Sequence, residues 1–375
     1  MKYYIISGEA SGDLYGSNLI KEILKLDTKA NIRGWGGDLM ERAGANIVKH
    51  YKNHNYMGFL EVLRNLKTIL NNLKFCKSDI KNFKPDALIL IDFPGFNMRI
   101  AKYFHQSSFP VMYYIAPQAW AWKENRVVAI KKYVDQLYVI LPFEKTFFKN
   151  HEIDVNYFGH PLLEHVLDFQ KNNSVRKEDF FEKYGLDENK KIISLLPGSR
   201  RQEIIKKLPI MLESLSSYNI GNNIVIAGMN NFKTLYQQLI NNYNVKVIYD
   251  DTYNILNNSN VALVTSGTAT LETAFFKVPQ VVCYKSSWFS YSIAKSFIKV
   301  KYISLVNLIL NKICVKELIQ NDLNILNLSK ELNELKKVEY IESIKNDYLI
   351  LLKKCSGIDV SKNIANSMLK TIETF

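Results

Sequence analysis

MKYYIISGEASGDLYGSNLI, residues 1–20, decides the fold. A short apolar run, Tyr3 to Ser7, breaks at Gly8, and a helical pattern begins near Ser11 to Asp13. A buried run that feeds a helix through a tight turn is the opening unit of a parallel α/β sheet. In a dinucleotide-binding protein this turn is rich in glycine, so that backbone N–H groups approach a phosphate. Here it carries Glu9, with Asp13 just behind it. An acid in that place asks for a ligand other than phosphate.

The alternation continues along the chain. NIRGWGG (31–37), ALILID (87–92), VMYYIAP (111–117) and LYVIL (137–141) each lead into helix-compatible sequence. Between about 165 and 190 the chain turns polar, with QKNNSVRKEDFFEK at 170–183. A second series follows: KIISLLPGSRR (191–201), NIVIAGM (223–229), VKVIYDD (245–251), VALVTSGTATLE (261–272) and QVVCYK (280–285). From about Leu328 the period is helical, with no strand signal. The expected class is α/β, with two Rossmann-like domains facing a central cleft and helices at the C-terminus. Expected bounds are 1–165 for the first domain, 166–190 for a connector and 191–345 for the second domain. A helical tail, 346–375, can pack back on the first domain. α/β sheets place ligands outside the carboxyl ends of their strands, so each strand-end motif is read first as lining the cleft.

Composition bounds the function. The 375 residues suffice for two cores, and 47% hydrophobic with 23% charged residues describes a globular chain. Lys and Arg total 49 against 36 Asp and Glu, a net charge of +13. Nucleic acid, an anionic membrane surface and phosphate-bearing small molecules all suit that excess. Much of it is Lys scattered among Asn and Ile, which reads in part as plain surface solvation. The four cysteines, Cys76, Cys283, Cys314 and Cys355, form no C-x-x-C pair, which fits a reducing cytoplasm. There is no signal-peptide pattern, and no apolar run is long enough to span a bilayer, so the expected protein is soluble or sits on a membrane surface.

Two motifs carry the phosphate signal. In LLPGSRRQEI a strand ends, Pro197-Gly198 turns the chain, Ser199 stands as the expected N-cap, and Arg200 adds a charge that forks to phosphate oxygens. An ordinary capped helix with a surface Arg is the competing reading. TSGTATLE repeats the design with Ser266, Gly267 and Thr268, then places Glu272 one turn into a helix, where a carboxylate suits a ribose diol. Together they favour a nucleoside diphosphate in the second domain over two generic caps.

That leaves the first domain free to carry acids. Glu9 can accept a sugar hydroxyl's hydrogen bond or its proton, and Asp92 in IDFPGFN ends another strand of the same sheet. A strand-end Asp before Pro-Gly more often caps a turn, but two acids on one edge favour general-base work. In APQAWAW, Trp120 and Trp122 suit a sugar, a lipid groove or plain packing. His160, in FGHP, reads as structural. GFLEVLRNLKTILNNLKF (58–75) has apolar residues at 59, 62, 63, 66, 69, 70 and 73, beside Arg64, Lys67 and Lys74. A core-facing stripe is the default, and an interfacial helix touching acidic headgroups is the competitor. WFSYSIAKSFIKVKY (288–302) is similar in character.

SGEASGD, IDFPGFN, APQAWAW, LPFE, FGHP, LLPGSRRQE, TSGTATLE and SLVNLIL stand in the order found in lipid-A-disaccharide synthases, which this chain resembles from its first strand to about Leu310. These are bacterial inverting glycosyltransferases of the two-Rossmann GT-B type. The resemblance implies transfer of a diacylated glucosamine from UDP to the 6-hydroxyl of diacylglucosamine 1-phosphate, giving a disaccharide phosphate and UDP. It implies Asp92 and Glu9 as catalytic acids in the acceptor site. It further implies Arg200, Ser199, Gly198, Ser266, Gly267, Thr268, Glu272, Asn307, Ser11 and Gln118 as substrate-binding residues. Membrane contact falls on Phe59, Leu60, Val62, Leu63, Leu66, Ile69 and Leu70. The implied location is the cytoplasmic face of the inner membrane, held peripherally. Some members carry a second acid in IDFPGFN where this chain has Gly95.

No Asp-x-Asp metal motif occurs, so neither a metal nor another cofactor is expected, nor is a nucleic acid partner. The alternatives are another UDP-N-acetylglucosamine enzyme of the same fold, such as a peptidoglycan-precursor glucosaminyltransferase or a 2-epimerase. More distant readings are a NAD-dependent oxidoreductase, opposed by the missing G-x-G-x-x-G, and a non-catalytic nucleotide- or lipid-binding protein.

Overall fold

The computed structural model describes residues 1–53, 66–121, 126–216, 221–286 and 300–375. Its described residues divide into two compact units. One holds those from Met1 to Pro161 together with Cys355 to Phe375, and the other those from Leu162 to Lys354.

The first unit opens with β1 (Lys2–Ser7), α1 (Ala10–Leu26), β2 (Asn31–Gly36), α2 (Asp38–Arg42), β3 (Asn46–His50) and α3 (Leu66–Phe83). β4 (Ala87–Ile91), α4 (Pro94–Phe104), β5 (Val111–Tyr114), α5 (Arg126–Tyr133), β6 (Gln136–Tyr138) and α6 (Glu144–Lys149) complete the series. All six strands are parallel, in the order β3-β2-β1-β4-β5-β6. Tyr3 to Ile6 and Ala87 to Ile91 are fully buried, as unbroken apolar runs must be in a sheet covered on both faces.

The second unit begins with α7 (Pro161–Asn172), whose first residue belongs to the first unit, and α8 (Lys177–Tyr184). β7 (Lys191–Leu196), α9 (Arg201–Ser214), β8 (Asn222–Gly228), α10 (Lys233–Ile240), β9 (Lys246–Tyr249) and α11 (Thr252–Asn257) follow. Then come β10 (Val261–Thr265), α12 (Thr268–Phe275), β11 (Gln280–Tyr284), α13 (Leu305–Leu310), β12 (Lys316–Ile319), α14 (Ile325–Glu334) and α15 (Val338–Cys355), whose last residue belongs to the first unit. The sheet is again all parallel, in the order β12-β11-β10-β7-β8-β9. The last helix, α16 (Val360–Thr374), returns to the first unit and packs against α1.

Each sheet therefore has one place where strand order reverses: between β1 and β4 in the first, and between β7 and β10 in the second. Successive crossovers leave these strands toward opposite faces, which opens a crevice at their carboxyl ends. Ser7 pairs with Ile91 at the end of one, and Leu196 with Val264 at the end of the other.

Candidate functional site

At the first reversal the residues beyond Ser7 and Ile91 are Gly8-Glu9 and Asp92-Phe93. Glu9 is the N-cap residue of α1, yet its carboxylate makes no capping bond there. Asp92 and Phe93 both adopt left-handed backbone, with φ of 46° and 51°. Non-glycine residues hold that conformation at a cost of about 1–3 kcal/mol each, and only where the surroundings impose it. Here the Asp92 N–H donates to the Tyr114 carbonyl at 3.0 Å, while its own carbonyl accepts from Tyr113 Oη at 2.6 Å and Asn97 Nδ2 at 2.8 Å. Asn97, fully buried, also donates to the Ile91 carbonyl at 3.2 Å. Burial first, and then the charge of Glu9, push the Asp92 carboxyl up to about 7.

Asp13, in the same motif, does something else. It is buried and accepts the backbone N–H groups of Gly37 at 2.8 Å, Leu39 at 3.1 Å and Met40 at 3.1 Å, so it caps α2. Ser11 is half-buried on the first turn of α1, and Gln118 is exposed. Trp120 is anchored: its indole Nε1 donates to Glu144 Oε1 at 3.0 Å, and its ring meets Phe143 edge-on. Glu144, in LPFE, is buried and also accepts from the Ile140 and Leu141 N–H groups at 3.2 and 2.9 Å. Burial pushes its carboxyl up to about 7. The LPFE motif alone does not mark this acid, because its partners come together only in the fold. Trp122 lies outside the described residues. His160 is buried, its N–H bonded to the Cys355 carbonyl at 2.8 Å, and burial pushes its imidazole down to about 3. It is neutral at ordinary pH.

The 58–75 stripe divides. Leu73, Cys76 and Ile80 of α3 face the core and Ile69 packs against it, whereas Leu66 and Leu70 are 45% and 55% exposed. Phe59, Leu60, Val62 and Leu63 lie outside the described residues, as does most of 288–302. Gly95 is exposed with open space where a Cβ would stand.

At the second reversal β7 runs into Pro197-Gly198, where Gly198 has φ of +120°, and Ser199 and Arg200 are exposed. The N-cap of α9 is Arg200, one residue later than expected, because the Glu203 and Ile204 N–H groups both bond its carbonyl. Glu203 reaches back so that its carboxylate accepts the Ser199 N–H at 3.1 Å and lies 3.9 Å from Arg200 Nη1. Beside it, β10 runs into Ser266 and Gly267, the N-cap of α12, with Gly267 and Thr268 exposed. The first N–H groups of a helix lack intrahelical partners and attract anions. Glu272 accepts from Tyr253 Oη at 3.2 Å, and burial raises its carboxyl. Asn307 is fully buried, with Nδ2 bonded to the Val315 carbonyl and to Glu317, and Oδ1 accepting from the Cys314 and Val315 N–H groups. Its polar positions are filled from within the unit. Among the described residues no group of three or more His, Cys, Asp or Glu is arranged to hold a metal, and no helix is long and apolar enough to cross a membrane.

So the strand reversal of the first unit gathers two acids, and that of the second gathers the turns of Gly198 and Gly267. Solved structures share this fold: a Staphylococcus aureus MnaA–UDP co-structure has a TM-score of 0.68 at 13% identity, covering 100% of this chain and 97% of that one. A Neisseria meningitidis UDP-GlcNAc 2-epimerase bound to UDP-GlcNAc has 0.62 at 16%, covering 99% and 100%. At such identities the likeness is one of fold. Sequence relatives go further. A protein of Legionella pneumophila subsp. pneumophila named lipid-A-disaccharide synthase 1 is 35% identical over 350 residues, 92% of this chain and 88% of its own. A lipid-A-disaccharide synthase of Geobacter sulfurreducens is 32% identical over 375 residues, 98% and 96% of the two chains. A family model described as lipid-A-disaccharide synthetase matches residues 3–368. With both acids and both phosphate turns of that resemblance at its strand reversals, the chain belongs to the lipid-A-disaccharide synthetase family.

Proposed function

We propose that the chain joins two diacylated glucosamines. The donor is UDP-2,3-diacylglucosamine and the acceptor is 2,3-diacylglucosamine 1-phosphate. The carrying observation is the placement of Glu9 and Asp92 together at the β1/β4 reversal, with the turns of Arg200 and Ser266 at the β7/β10 reversal. In a single displacement the acceptor's 6-oxygen attacks the anomeric carbon, its proton passes to Asp92, and the bond from that carbon to the diphosphate oxygen breaks. UDP leaves with the electron pair, and the configuration inverts. Asp92 is raised toward neutrality, which makes it a competent base for a sugar hydroxyl once ionised. Glu9 holds the acceptor and sustains that shift by its charge.

The departing diphosphate gains negative charge. Arg200 and the N-termini of α9 and α12 offer fixed positive potential for it, arranged before the reaction begins. Glu272 suits the ribose hydroxyls, with Tyr253 orienting it. The acyl chains place the enzyme at the inner-membrane surface, and Leu66 and Leu70 are exposed apolar residues suited to that contact.

The test is UDP release and disaccharide phosphate formation from both lipid substrates, each omitted in turn, with UDP-N-acetylglucosamine as control donor. Release that requires both lipids supports the proposal. Turnover of the unacylated donor alone rejects it in favour of another UDP-sugar reaction on the same fold.

A further inference from the structure

Glu317, on the edge strand β12, belongs to none of the motifs above, yet it accepts three hydrogen bonds close to the β10 turn. Its Oε2 accepts the Ile303 N–H at 3.0 Å, and its Oε1 accepts the Ser304 N–H at 2.9 Å and Asn307 Nδ2 at 2.9 Å. Two consecutive peptide N–H groups are thus fixed by one carboxylate. The carbonyl of the first, Ile303, accepts the Ser266 hydroxyl at 3.1 Å. Ser266 opens the turn that Gly267 and Thr268 continue into α12, and α13 packs against that helix. The far side is equally fixed: Asn307 clamps the Cys314 and Val315 N–H groups at 2.8 and 3.0 Å, and Val315 leads directly into β12.

We propose that Glu317 is a positioning residue for the donor's diphosphate, acting through Ile303 and Ser266 to set where the N–H groups of the Gly267-Thr268 turn stand. This rests on the reading of that turn as the nucleotide site. An ionised acceptor suits the task, because hydrogen bonds to a charged carboxylate are shorter and stronger than neutral ones and hold a loop in one geometry. Preorganised N–H donors bind phosphate without first being ordered, so loosening them weakens the phosphate contribution and leaves the base and ribose contacts alone. Glu317→Gln turns one oxygen into an NH2 group that faces N–H donors, which breaks the clamp with little change in shape.

The experiment measures the affinity of UDP by titration calorimetry and of uridine by ligand-detected NMR, on wild type, Glu317→Gln and Ser266→Ala, with thermal unfolding alongside. The expected result is a loss of UDP affinity of about tenfold in both variants, with uridine unchanged, and no further loss in the double variant. Equal weakening of UDP and uridine, or a wild-type UDP affinity in Glu317→Gln, overturns the inference. If Glu317→Gln does not fold, Ser266→Ala decides alone: UDP affinity equal to wild type is the overturning outcome. A wild type that binds UDP no better than uridine rejects the nucleotide reading itself, a different failure.

Discussion

Gly8 packs so closely against the ring of Phe93 that a Cβ there would collide with its Cγ. That contact packs the turn after β1 against the turn after β4, and so sets Glu9 beside Asp92. Gly8→Ala forces either the ring or a strand end to move. We expect a stability loss of about 1–3 kcal/mol and a fall in kcat larger than the change in KM. Denaturant unfolding with steady-state kinetics on the same preparation checks both.

If Asp92 is the base, it ties activity to stability with opposite signs. Its carboxyl rises from 3.8 to about 7 on folding, chiefly through burial. Between those values the native chain holds the proton more tightly than the unfolded one, so stability falls as pH rises through that window. Asp92→Asn removes the ionisation. It should unfold at higher temperature than wild type at pH 8, by about 2–4 °C per 1 kcal/mol, show little difference at pH 4, and lose turnover. Thermal scans at the two pH values read the sign directly.

Asp13 stands only four residues after Glu9, but its three backbone partners give it a structural task. Asp13→Ala should cost at least about 2 kcal/mol of stability, because it leaves buried N–H groups unpaired. Turnover per folded molecule should stay close to wild type at low temperature. A folded Asp13→Ala protein with normal stability and no turnover would assign Asp13 to the chemistry instead.

Arg200 is exposed at the α9 N-terminus, where Glu203 stands 3.9 Å away as an ion-pair partner. Arg200→Ala should weaken UDP about ten- to a hundredfold, and Arg200→Lys less, since a point charge keeps attraction but loses the fork. Calorimetric titration with UDP at two salt concentrations measures this, and the wild type should show the steeper salt dependence.

The strands that build the site were legible because they are buried on both faces. Tyr3–Ile6, Ala87–Ile91 and Ala262–Val264 are unbroken apolar runs. The edge strands β3 and β12, NIVKH and KELI, carry no such signal, because a half-exposed edge holds polar and charged residues and leaves no apolar run. Glu9, Asp92, Arg200 and Ser266 were legible as residues that follow a strand. That they sit at the reversals of strand order was not, since that order is set by pairing between distant segments. The N-cap falls on Arg200, one residue past Ser199, and Glu203 satisfies the Ser199 N–H from four positions ahead. Glu144 and Glu317 are not legible for a related reason: their partners include backbone N–H groups whose positions only the fold supplies.

The most direct measurement is the pH dependence of kcat/KM for disaccharide formation, on wild type and Glu9→Gln. If Asp92 is the base, activity climbs with pH through an apparent pKa near 7 in wild type. The climb moves to lower pH in Glu9→Gln, because a like charge has been removed. A profile flat from pH 5 to 9, or an acid limb that Glu9→Gln leaves in place, would contradict the pairing of these two acids at the centre of the reaction.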